Sequence, residues 1–530
     1  MQLKELIEDL FVKSTSGVLE TDITGIAYDS RKVGAGQLFV ALRGEDVDGH
    51  LYIDKAIAAG AVAVMAEDPP PPDAVVPWVQ VQDGRVAMAL AADVFYGEPS
   101  ADLSVVGITG TNGKTTTAYL LHHLMKSVWR RCGLIGTTGV ETGVQWLTAS
   151  HTTPESVEIQ SLLAQMMEEQ CRGAVMEVSS HGLVQHRVDG VRYAVGVFTN
   201  LSQDHMDYHG DMESYFKAKK ALFDLMSQQR RSNLPGEQAV MVVNADDSFG
   251  KRLVDIGFPK LEVITYGMGA ACDFRASNIR SNLDGTVFQL EMKGRSMLVR
   301  TPLIGSFNVY NTLAALAAAQ GLNLNLREAV ANLANAPQIP GRLESVGGRQ
   351  TNFRVYVDYA HTPDAIEKAL LTLKDLQPER IITVFGCGGD RDRDKRPKMG
   401  QAVAELSDLA IVTSDNPRSE NPEDIIEQVV AGMKRGRHQV IVDRRKAIRA
   451  AIDMAGARDI VLIAGKGHED YQEIDGVRHD FDDRKMARNY IAATVEERAE
   501  EIEQERLEEE RLAEEEFESG KFDEERRDGE

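Results

Sequence analysis

Apolar runs alternate with helical patterns through the middle of the chain. Residues 103–109, 174–176 and 194–198 are largely apolar runs, the pattern of strands that are buried on both faces of a parallel sheet. Between the first two runs, residues 115–128 carry apolar side chains at helical spacing. Strands that alternate with helices in this way predict an α/β domain with a doubly wound parallel sheet.

The region before this central domain has a weaker version of the same pattern. Short strand-like runs occupy residues 37–42 and 61–65, and four prolines at 69–72 indicate a surface loop. A Gly-Glu-Pro-Ser segment at 97–100 is typical of a linker. We therefore predict a small α/β domain at residues 1–98.

A third series of strands and helices follows an alanine-rich helical segment at 311–320. Its strand-like runs are residues 355–357, 381–385, 409–412 and 460–464. A loop rich in proline and glycine at 337–341 separates it from the central domain. The pattern predicts a central domain at 99–336 and a C-terminal Rossmann-like α/β domain at 337–495.

The last 35 residues, 496–530, form an acidic tail with a net charge of −12. Its large apolar residues recur every five positions, at Ile502, Leu507, Leu512, Phe517 and Phe522. That period places no continuous apolar stripe on a helix. A solvated helix or a disordered segment is the simpler interpretation, and binding of an unidentified partner is the alternative.

Composition narrows the class of protein. A chain of 530 residues with 43% hydrophobic and 27% charged residues is an ordinary multidomain globular protein. The net charge of −23 argues against nucleic-acid binding, and the four scattered cysteines indicate neither zinc nor disulfides. No apolar run is long enough for a membrane span, and the first residues lack a signal-peptide pattern, so we expect a cytoplasmic protein.

The most specific motif lies between the first central strand and its helix. It consists of Gly110, Thr111, Asn112, Gly113, Lys114, Thr115 and Thr116. Backbone N–H groups of such a turn bind phosphate oxygens, the lysine neutralises the β- and γ-phosphates, and the first threonine ligates Mg²⁺. The usual spacing would place glycine where Ile108 stands, so this is a variant of the phosphate loop and predicts an ATP site.

Two later strands also end in polar side chains. Glu177 ends the run at 174–176, where a parallel sheet opens its ligand crevice, and it can share a metal ion with the phosphate loop. His205 follows the run at 194–198 and can hold a second metal, with Asp204 orienting its ring. In the C-terminal domain, the glycine-rich residues 386–391 do not fit a dinucleotide-binding motif, because Arg391 stands where the last glycine belongs.

These motifs resemble those of the Mur ligases, ATP-dependent amino-acid ligases of peptidoglycan precursor synthesis. The resemblance is carried by residues 109–116, 176–183 and 200–207, and by 29–31, 305–308, 341–344, 358–363 and 465–469. It extends from residue 20 to about residue 490 and implies the three-domain architecture given above. It is strongest to the member that adds meso-diaminopimelate to UDP-MurNAc-L-Ala-D-Glu through an acyl phosphate.

The resemblance also implies binding residues for each substrate. ATP is implied to bind the phosphate loop together with Asn308, Asn311, Arg342 and Asp358. The UDP-MurNAc-dipeptide is implied to bind Tyr28, Ser30, Glu45, Asp46, Val47, Thr152, Thr153, Ser179, Gln185 and Arg187. The incoming amino acid is implied to bind Arg391, Asp415, Asn416, Pro417, Arg418, Gly465 and Glu469.

Two residues carry finer expectations. Lys219 matches the position of a carbamylated lysine in the family, although the sequence alone does not favour it over Lys217 or Lys220. The resemblance implies catalytic roles for Lys114, Glu177, His205 and Lys219, and two Mg²⁺ ions held by Thr115, Glu177, His205 and the Lys219 carbamate. Arg418 matches the arginine that the resemblance associates with diaminopimelate users. A guanidinium suits that substrate, because it binds the distal carboxylate and repels an ammonium group.

Two alternatives stay open at this point. A folylpolyglutamate synthase shares the central ATP chemistry but has no need of residues 1–98. A catalytically silent nucleotide-binding scaffold that acts through the tail is the other. We expect a monomer that binds small-molecule substrates and no nucleic acid, with a partner of the tail left open.

Overall fold

The computed structural model describes residues 1–44, 47–229, 238–348 and 351–527. The chain forms two compact units, Met1–Pro337 and Gln338–Glu530. Each unit is built around a sheet of mainly parallel strands. The α/β class predicted from the alternation of strands and helices is therefore confirmed.

The first part of unit 1 is a small sheet with helices against it. Its elements are α1 (Leu3–Leu6), β1 (Val12–Ser16), β2 (Gly25–Ala27), β3 (Gln37–Val40), α2 (Ile53–Ala58), β4 (Ala63–Ala66), β5 (Trp78–Val81) and α3 (Gly84–Phe95). The strand order is β1-β5-β4-β3-β2, and only the β1–β5 pair is antiparallel. The four prolines lie between β4 and β5, in the loop that their missing N–H groups require.

The rest of unit 1 is one large sheet with helices. Its strands are β6 (Ser104–Thr109), β7 (Gly133–Gly136), β8 (Gly139–Glu141), β9 (Trp146–Leu147), β10 (Gly173–Glu177), β11 (Tyr193–Phe198), β12 (Ala239–Asn244), β13 (Leu261–Gly267), β14 (Phe274–Asn282), β15 (Gly285–Met292) and β16 (Arg295–Thr301). Its helices are α4 (Lys114–Trp129), α5 (Ser156–Glu168), α6 (Ser180–Val184), α7 (Met206–His209), α8 (Met212–Gln228), α9 (Ser248–Ile256), α10 (Ser306–Gly321) and α11 (Leu326–Asn332).

The order of strands in this sheet positions the site. Strand β6 lies between β10 and β11, and all three run parallel. The residues that follow these three strands therefore meet at one edge of the sheet. Helix α10, whose buried face is mostly alanine and leucine but includes Asn308 and Asn311, packs closely against α4.

Unit 2 has one six-stranded sheet, which is parallel except for the antiparallel β17–β18 pair. Its strands are β17 (Glu344–Val346), β18 (Arg354–Asp358), β19 (Ile381–Phe385), β20 (Leu409–Val412), β21 (His438–Val440) and β22 (Ile460–Ala464), in the order β17-β18-β22-β19-β20-β21. A separate hairpin follows, of β23 (Tyr471–Ile474) and β24 (Val477–Asp480). Its helices are α12 (Pro363–Lys374), α13 (Lys395–Leu406), α14 (Pro422–Val430), α15 (Arg444–Asp453) and α16 (Asp483–Arg527).

The predicted strands at 381–385, 409–412 and 460–464 coincide with β19, β20 and β22. The antiparallel extension β14–β16 and the hairpin β23–β24 are not predicted, because their half-exposed strands mix polar and apolar residues without a clear period. The domain limits at residues 98, 336 and 495 stay predictions. In the part of the chain that is described, no helix is long and apolar enough to cross a membrane.

Helix α16 runs from the C-terminal unit into the acidic tail. The first residues of the tail contact the rest of unit 2, which differs from the interpretation of a wholly solvated segment. Arg498 donates to the Ala455 carbonyl (3.2 Å) and lies over the Phe353 ring, and Glu497 pairs with Arg449 at 2.9 Å. Farther along, Leu507 and Leu512 are half exposed, as the five-residue period predicts.

These contacts separate two truncations. Deleting residues 500–530 is expected to leave activity within about twofold and the melting temperature nearly unchanged, because the described contacts with unit 2 end at Arg498. Deleting residues 496–530 removes the Glu497 and Arg498 contacts as well, and the melting temperature should fall by roughly 2–4 °C. Equal melting temperatures for the two truncated proteins would show that the Glu497 and Arg498 contacts do not stabilise the protein.

Candidate active site

The turn between β6 and α4 depends on two glycines. Gly110 and Gly113 have φ values of +142° and +86°, which side-chain-bearing residues rarely adopt. A Cβ on Gly110 would collide with Thr199 Oγ1, and one on Gly113 would collide with Asn311 Oδ1. Only glycine fits at these two positions, and the turn leads into the N-terminus of α4, where N–H groups and the helix dipole favour a phosphate.

Two lysine amines meet at one carbonyl oxygen of this turn. Lys114 Nζ donates to the carbonyls of Gly110 (3.0 Å) and Thr111 (2.9 Å), and Lys219 Nζ donates to the same Gly110 carbonyl at 2.8 Å. Lys219 lies on α8, is fully buried, and has its amine 4.6 Å from the centre of the Tyr215 ring. Burial, and next the positive charge of Lys114, hold the pKa of Lys219 well below its ordinary value.

Glu177 lies at the end of β10 with both carboxylate oxygens bonded. Its Oε2 accepts from Thr115 Oγ1 (2.9 Å), and its Oε1 accepts from the Thr137 N–H (2.9 Å). The side chain is 1% exposed, so the carboxylate is held by hydroxyl and amide donors in place of water. The structure thus brings together Thr115 and Glu177, two of the four residues predicted to bind metal.

A cluster of rings follows β11. His205 has a left-handed backbone, and its Nε2 lies 3.4 Å from Asp204 Oδ2, the contact expected of an orienting carboxylate. Its ring centre lies 5.0 Å from that of His181, and His209 Nε2 lies 2.9 Å from Ser180 Oγ. These histidines occupy the edge of the sheet that also carries the phosphate loop.

Within the described residues, no group of three or more His, Cys, Asp and Glu side chains is arranged to hold a metal ion. Glu177 is turned towards Thr115, His205 towards Asp204, and the Lys219 amine towards the Gly110 carbonyl. The donor set at Thr115 and Glu177 consists of oxygens, which is the chemistry that Mg²⁺ requires. The complete set of four ligands stays a prediction.

Asn308 and Asn311, predicted to bind adenine, are buried on α10. Asn311 Oδ1 accepts from Thr117 Oγ1 (3.4 Å), Asn311 Nδ2 donates to Asn308 Oδ1 (3.0 Å), and Asn308 Nδ2 donates to the Ile304 carbonyl (2.8 Å). Asn311 thus links α10 to Thr117 of α4, beneath the phosphate loop.

Several residues predicted to hold the muramoyl-dipeptide lie together around α6. Thr153 Oγ1 donates to the Glu177 carbonyl (2.9 Å) and accepts from the Ser179 N–H (2.9 Å). Arg187 donates to the Thr153 carbonyl (2.8 Å) and to Gln185 Oε1 (2.5 Å). Thr152 Oγ1 lies 3.0 Å from Thr137 Oγ1. This group adjoins Glu177 and through it the phosphate loop.

The structure describes only some of the N-terminal residues predicted to bind the UDP-MurNAc-dipeptide. Tyr28 donates its hydroxyl to Glu158 Oε1 (2.9 Å), which links the first sheet of unit 1 to α5. Ser30 is half-buried and Val47 is exposed. The predicted Glu45 and Asp46 lie outside the described residues.

Sequence reasoning missed some residues that hold this site together. Glu155 pairs with Arg187 at 2.9 Å and begins α5 with a capping box completed by Glu158. The spacing of these two glutamates was a visible signal for a helix start. Asn200 Oδ1 accepts from the Asn112 N–H at 3.0 Å, and no local pattern distinguishes that contact.

In unit 2, the predicted amino-acid residues follow β20 and β22. Asn416 donates to Glu469 Oε2 (2.8 Å) and accepts from Lys466 Nζ (3.1 Å), so a buried amide, an acid and a buried cation form one network. Asp415 is also buried, and a Cβ on Gly465 would collide with its carboxylate. The two strand ends can approach this closely only because Gly465 has no side chain.

Arg418 lies beside this network. Its Nη1 donates to the Gly389 carbonyl (2.7 Å), and its Nε lies 3.8 Å from Glu473 Oε2. A Cβ on Gly389 would collide with the Pro417 carbonyl, so the loops that carry Arg391 and Arg418 lie in contact. Arg391 itself is exposed.

Arg342 and Asp358, predicted to bind ATP, occupy neighbouring positions in unit 2. Asp358 accepts from the N–H groups of Leu343 (2.7 Å) and Ala360 (2.8 Å), and burial raises the pKa of its carboxyl. The Arg342 guanidinium lies 5.1 Å from the centre of the Tyr359 ring. Asp358 therefore fixes the loop that carries Arg342.

Comparison with known proteins gives matches along nearly the whole chain. The models that match are the Mur ligase family, catalytic domain at residues 22–96, the Mur ligase middle domain at 108–319, and the Mur ligase, glutamate ligase domain at 341–467.

Individual relatives match this chain over nearly their whole length. A protein of Syntrophomonas wolfei named UDP-N-acetylmuramoyl-L-alanyl-D-glutamate--2,6-diaminopimelate ligase is 42% identical over 500 residues, 93% of this chain and 100% of that protein. Its namesake from Geobacillus kaustophilus is 45% identical over 479 residues, 90% of this chain and 96% of the other. A solved structure of a ligase with this name has a TM-score of 0.69 at 36% identity and covers 93% of this chain and 99% of its own.

Lys114→Ala is expected to lower single-turnover release of ADP from ATP by about 10³-fold or more, because the β/γ charge loses its cation. The fold should survive, since the backbone of the turn is also held by the Asn112 N–H bond to Asn200 Oδ1. Lys126→Ala, at the far end of α4, is the matched control and should keep normal turnover. A well-folded Lys114→Ala protein with near-normal ADP release would remove the phosphate loop from the chemistry.

Proposed function

The chain belongs to the Mur ligase family, the ATP-dependent ligases of peptidoglycan precursor synthesis, and on this premise we propose that it joins meso-diaminopimelate to UDP-MurNAc-L-Ala-D-Glu. The observation that carries the proposal is that relatives named as 2,6-diaminopimelate ligases match this chain over at least nine-tenths of its length. Arg418, which is suited to a distal carboxylate, supports the same amino acid.

The proposed reaction has two steps. An oxygen of the D-Glu γ-carboxylate attacks the γ-phosphorus of ATP, the bond to the β-phosphate oxygen breaks, and an acyl phosphate and ADP form. The amine of diaminopimelate then attacks the acyl carbon, loses a proton, and inorganic phosphate leaves. The products are the amide, ADP and phosphate.

The phosphate loop serves the first step by holding charge in place. The start of α4, where Gly113 precedes the first helical residue, would bind the β- and γ-phosphates. Lys114 donates to two carbonyls of its own turn and would exchange them for phosphate oxygens. Its cation then offsets the negative charge that spreads over the transferring group.

Mg²⁺ would be held first by Thr115 and Glu177, where it supplies further neutralisation of the phosphates. The Thr115–Glu177 hydrogen bond keeps both donors oriented in the meantime. We include His205 and a carbamate on Lys219 as further ligands, and two ions, on the strength of the family pattern.

Lys219 has the physical properties that carbamate formation requires. Only a neutral amine attacks CO₂, giving a carbamate and releasing one proton, and the lowered pKa of Lys219 raises the fraction of neutral amine. The product is an anion beside the Lys114 cation, which replaces two competing amines by an attractive pair. Lys217 lies on the exposed side of the same helix.

The dipeptide substrate would be oriented by Thr153, Gln185 and Arg187. Arg187 can bind an anionic group bidentately, and Glu155 holds its guanidinium in place beforehand. Thr153 bonds directly to the Glu177 carbonyl, so the substrate site and the phosphate site share a strand end. The match of the N-terminal domain model to residues 22–96 speaks against a folylpolyglutamate synthase.

We place the reaction in the cytoplasm, where ATP and nucleotide-linked precursors are available, and we propose a monomer. The direct test is to incubate the protein with ATP, Mg²⁺, UDP-MurNAc-L-Ala-D-Glu and either meso-diaminopimelate or L-lysine, and to weigh the products. The expected result is the tripeptide with diaminopimelate only. The proposal is overturned if no tripeptide forms with either amino acid, or if one forms with L-lysine alone.

Lys219→Ala is expected to lower turnover by roughly 10²-fold or more, because a metal ligand is lost, and formate or acetate should restore part of the activity by occupying the vacated space. Lys217→Ala is the control and should behave as wild type. Full activity of Lys219→Ala in buffer freed of CO₂ would show that no carbamate is needed.

Arg418→Ala should lower the specificity constant for meso-diaminopimelate by two to three orders of magnitude, roughly 3–4 kcal/mol for a lost charge-assisted pair. The constant for L-lysine should fall far less, because the repelling charge also disappears, so the preference shrinks without inverting. Both constants are to be measured at one salt concentration, with the exposed Arg445→Ala as control. An unchanged ratio would mean that Arg418 does not read the distal carboxylate.

A further inference from the structure

The hairpin β23–β24 lies along the segment 414–418, which carries the predicted amino-acid residues. Gln472 Nε2 donates to the Asp415 carbonyl (2.6 Å) and lies 3.4 Å from Ser414 Oγ. The Glu473 N–H donates to Asn416 Oδ1 at 3.0 Å. Strand β23 therefore bonds to three successive residues of this segment.

The hairpin also holds the backbone of Arg418. The Arg418 N–H donates to the Glu473 carbonyl (3.0 Å), and the Asp475 N–H donates to the Arg418 carbonyl (2.7 Å). Arg418 and Ile474 consequently form an isolated parallel bridge outside the main sheets. Both main-chain polar groups of Arg418 are thus committed to the hairpin.

This contact matters because Arg418 is strained. Its φ is +52°, a left-handed conformation that costs an arginine free energy relative to the usual regions. Such a conformation persists only where neighbouring structure holds it, and the two bonds to the hairpin do so. The backbone angle in turn decides the direction in which the side chain leaves the main chain.

The guanidinium is held from both sides. On one side its Nη1 donates to the Gly389 carbonyl (2.7 Å), and on the other its Nε lies 3.8 Å from the Glu473 carboxylate. The Gly389 N–H donates to the Asn416 carbonyl (2.9 Å), which ties the first side to the same segment. An arginine fixed in this way loses little side-chain entropy when it binds a carboxylate.

We propose that the hairpin β23–β24 sets amino-acid specificity by fixing Arg418, with Gln472 and Glu473 as its positioning residues. The inference rests on the proposed function, since it assigns Arg418 to the distal carboxylate of the substrate. Gln472 holds the segment before Arg418, and Glu473 holds both the backbone and the guanidinium of Arg418. Neither residue needs to touch the amino acid.

A purely structural hairpin would behave differently. Strand β24 is exposed along its length, and the hairpin is stabilised internally by the Arg478 guanidinium, 4.2 Å from the centre of the Tyr471 ring. If the hairpin only covered the edge of the unit, its variants would alter stability and leave the preference between amino acids unchanged. If the hairpin positions Arg418, its variants should raise the Michaelis constant for diaminopimelate more than they change the other Michaelis constants.

The test uses Gln472→Glu in the full chain, a variant of nearly equal size that replaces the donating amide by a carboxylate facing the Asp415 carbonyl. The KM for meso-diaminopimelate should rise about tenfold or more, with kcat within about threefold and the KM for ATP unchanged. The preference over L-lysine should fall by a similar factor. His479→Gln, on the exposed strand of the same hairpin, is the matched control and should match wild type.

Glu473→Gln provides a second measurement that leaves every backbone bond in place. It should raise the KM for diaminopimelate by a smaller factor, about threefold, because only the 3.8 Å charge contact is lost. The inference is overturned if both variants keep the wild-type preference, or if all Michaelis constants and the melting temperature change together. If wild type does not use diaminopimelate at all, the proposed function fails instead, and the two failures are distinguished by the wild-type assay.

Discussion

The carbonyl oxygen of Gly110 receives two lysine amines, and the chemistry of unit 1 depends on that contact. Two positive charges at one buried acceptor repel each other, and burial penalises a charge further. Lys219 is the fully buried one, and burial together with Lys114 lowers its pKa, whereas Lys114 stands at the start of a helix. The two lysines therefore share one acceptor in different surroundings.

The sheet order makes that contact possible. Because β6 lies between β10 and β11, the residues that follow all three strands meet at one edge, and Glu177 lies close to the phosphate loop. Because Gly110 and Gly113 have no Cβ, Thr199 and Asn311 can lie closer to the turn than they could to a residue with a side chain. The buried side chain of Asn311 on α10 packs against Gly113 of the turn.

Unit 2 uses buried charge in a similar way. Arg444 and Asp483 are both fully buried, and Arg444 also donates to the Ala464 carbonyl (3.0 Å), just before Gly465. Arg396, likewise fully buried, binds Glu420 through two nitrogens, at 2.8 and 3.0 Å. Removing one partner of such a pair leaves an uncompensated buried charge, which is far more costly than losing a surface pair. These pairs fix the loops at the ends of β20 and β22, where the predicted amino-acid residues lie.

Local pattern was enough for strands β6, β10, β11, β18, β19, β20 and β22, because strands buried on both faces must be apolar throughout. It also indicated the phosphate loop, because glycine, lysine and threonine at that spacing have few other uses. It could not choose Lys219 among three lysines of α8, since all three positions are chemically alike until the helix packs and only one amine faces the Gly110 carbonyl. Nor could it indicate that a hairpin more than fifty residues away in sequence would hold Arg418 in a left-handed conformation. The sequence by itself determined these buried strands and the chemistry available at their ends. Only the tertiary structure decided which side chains meet, because burial and long-range pairing are properties of the packed chain.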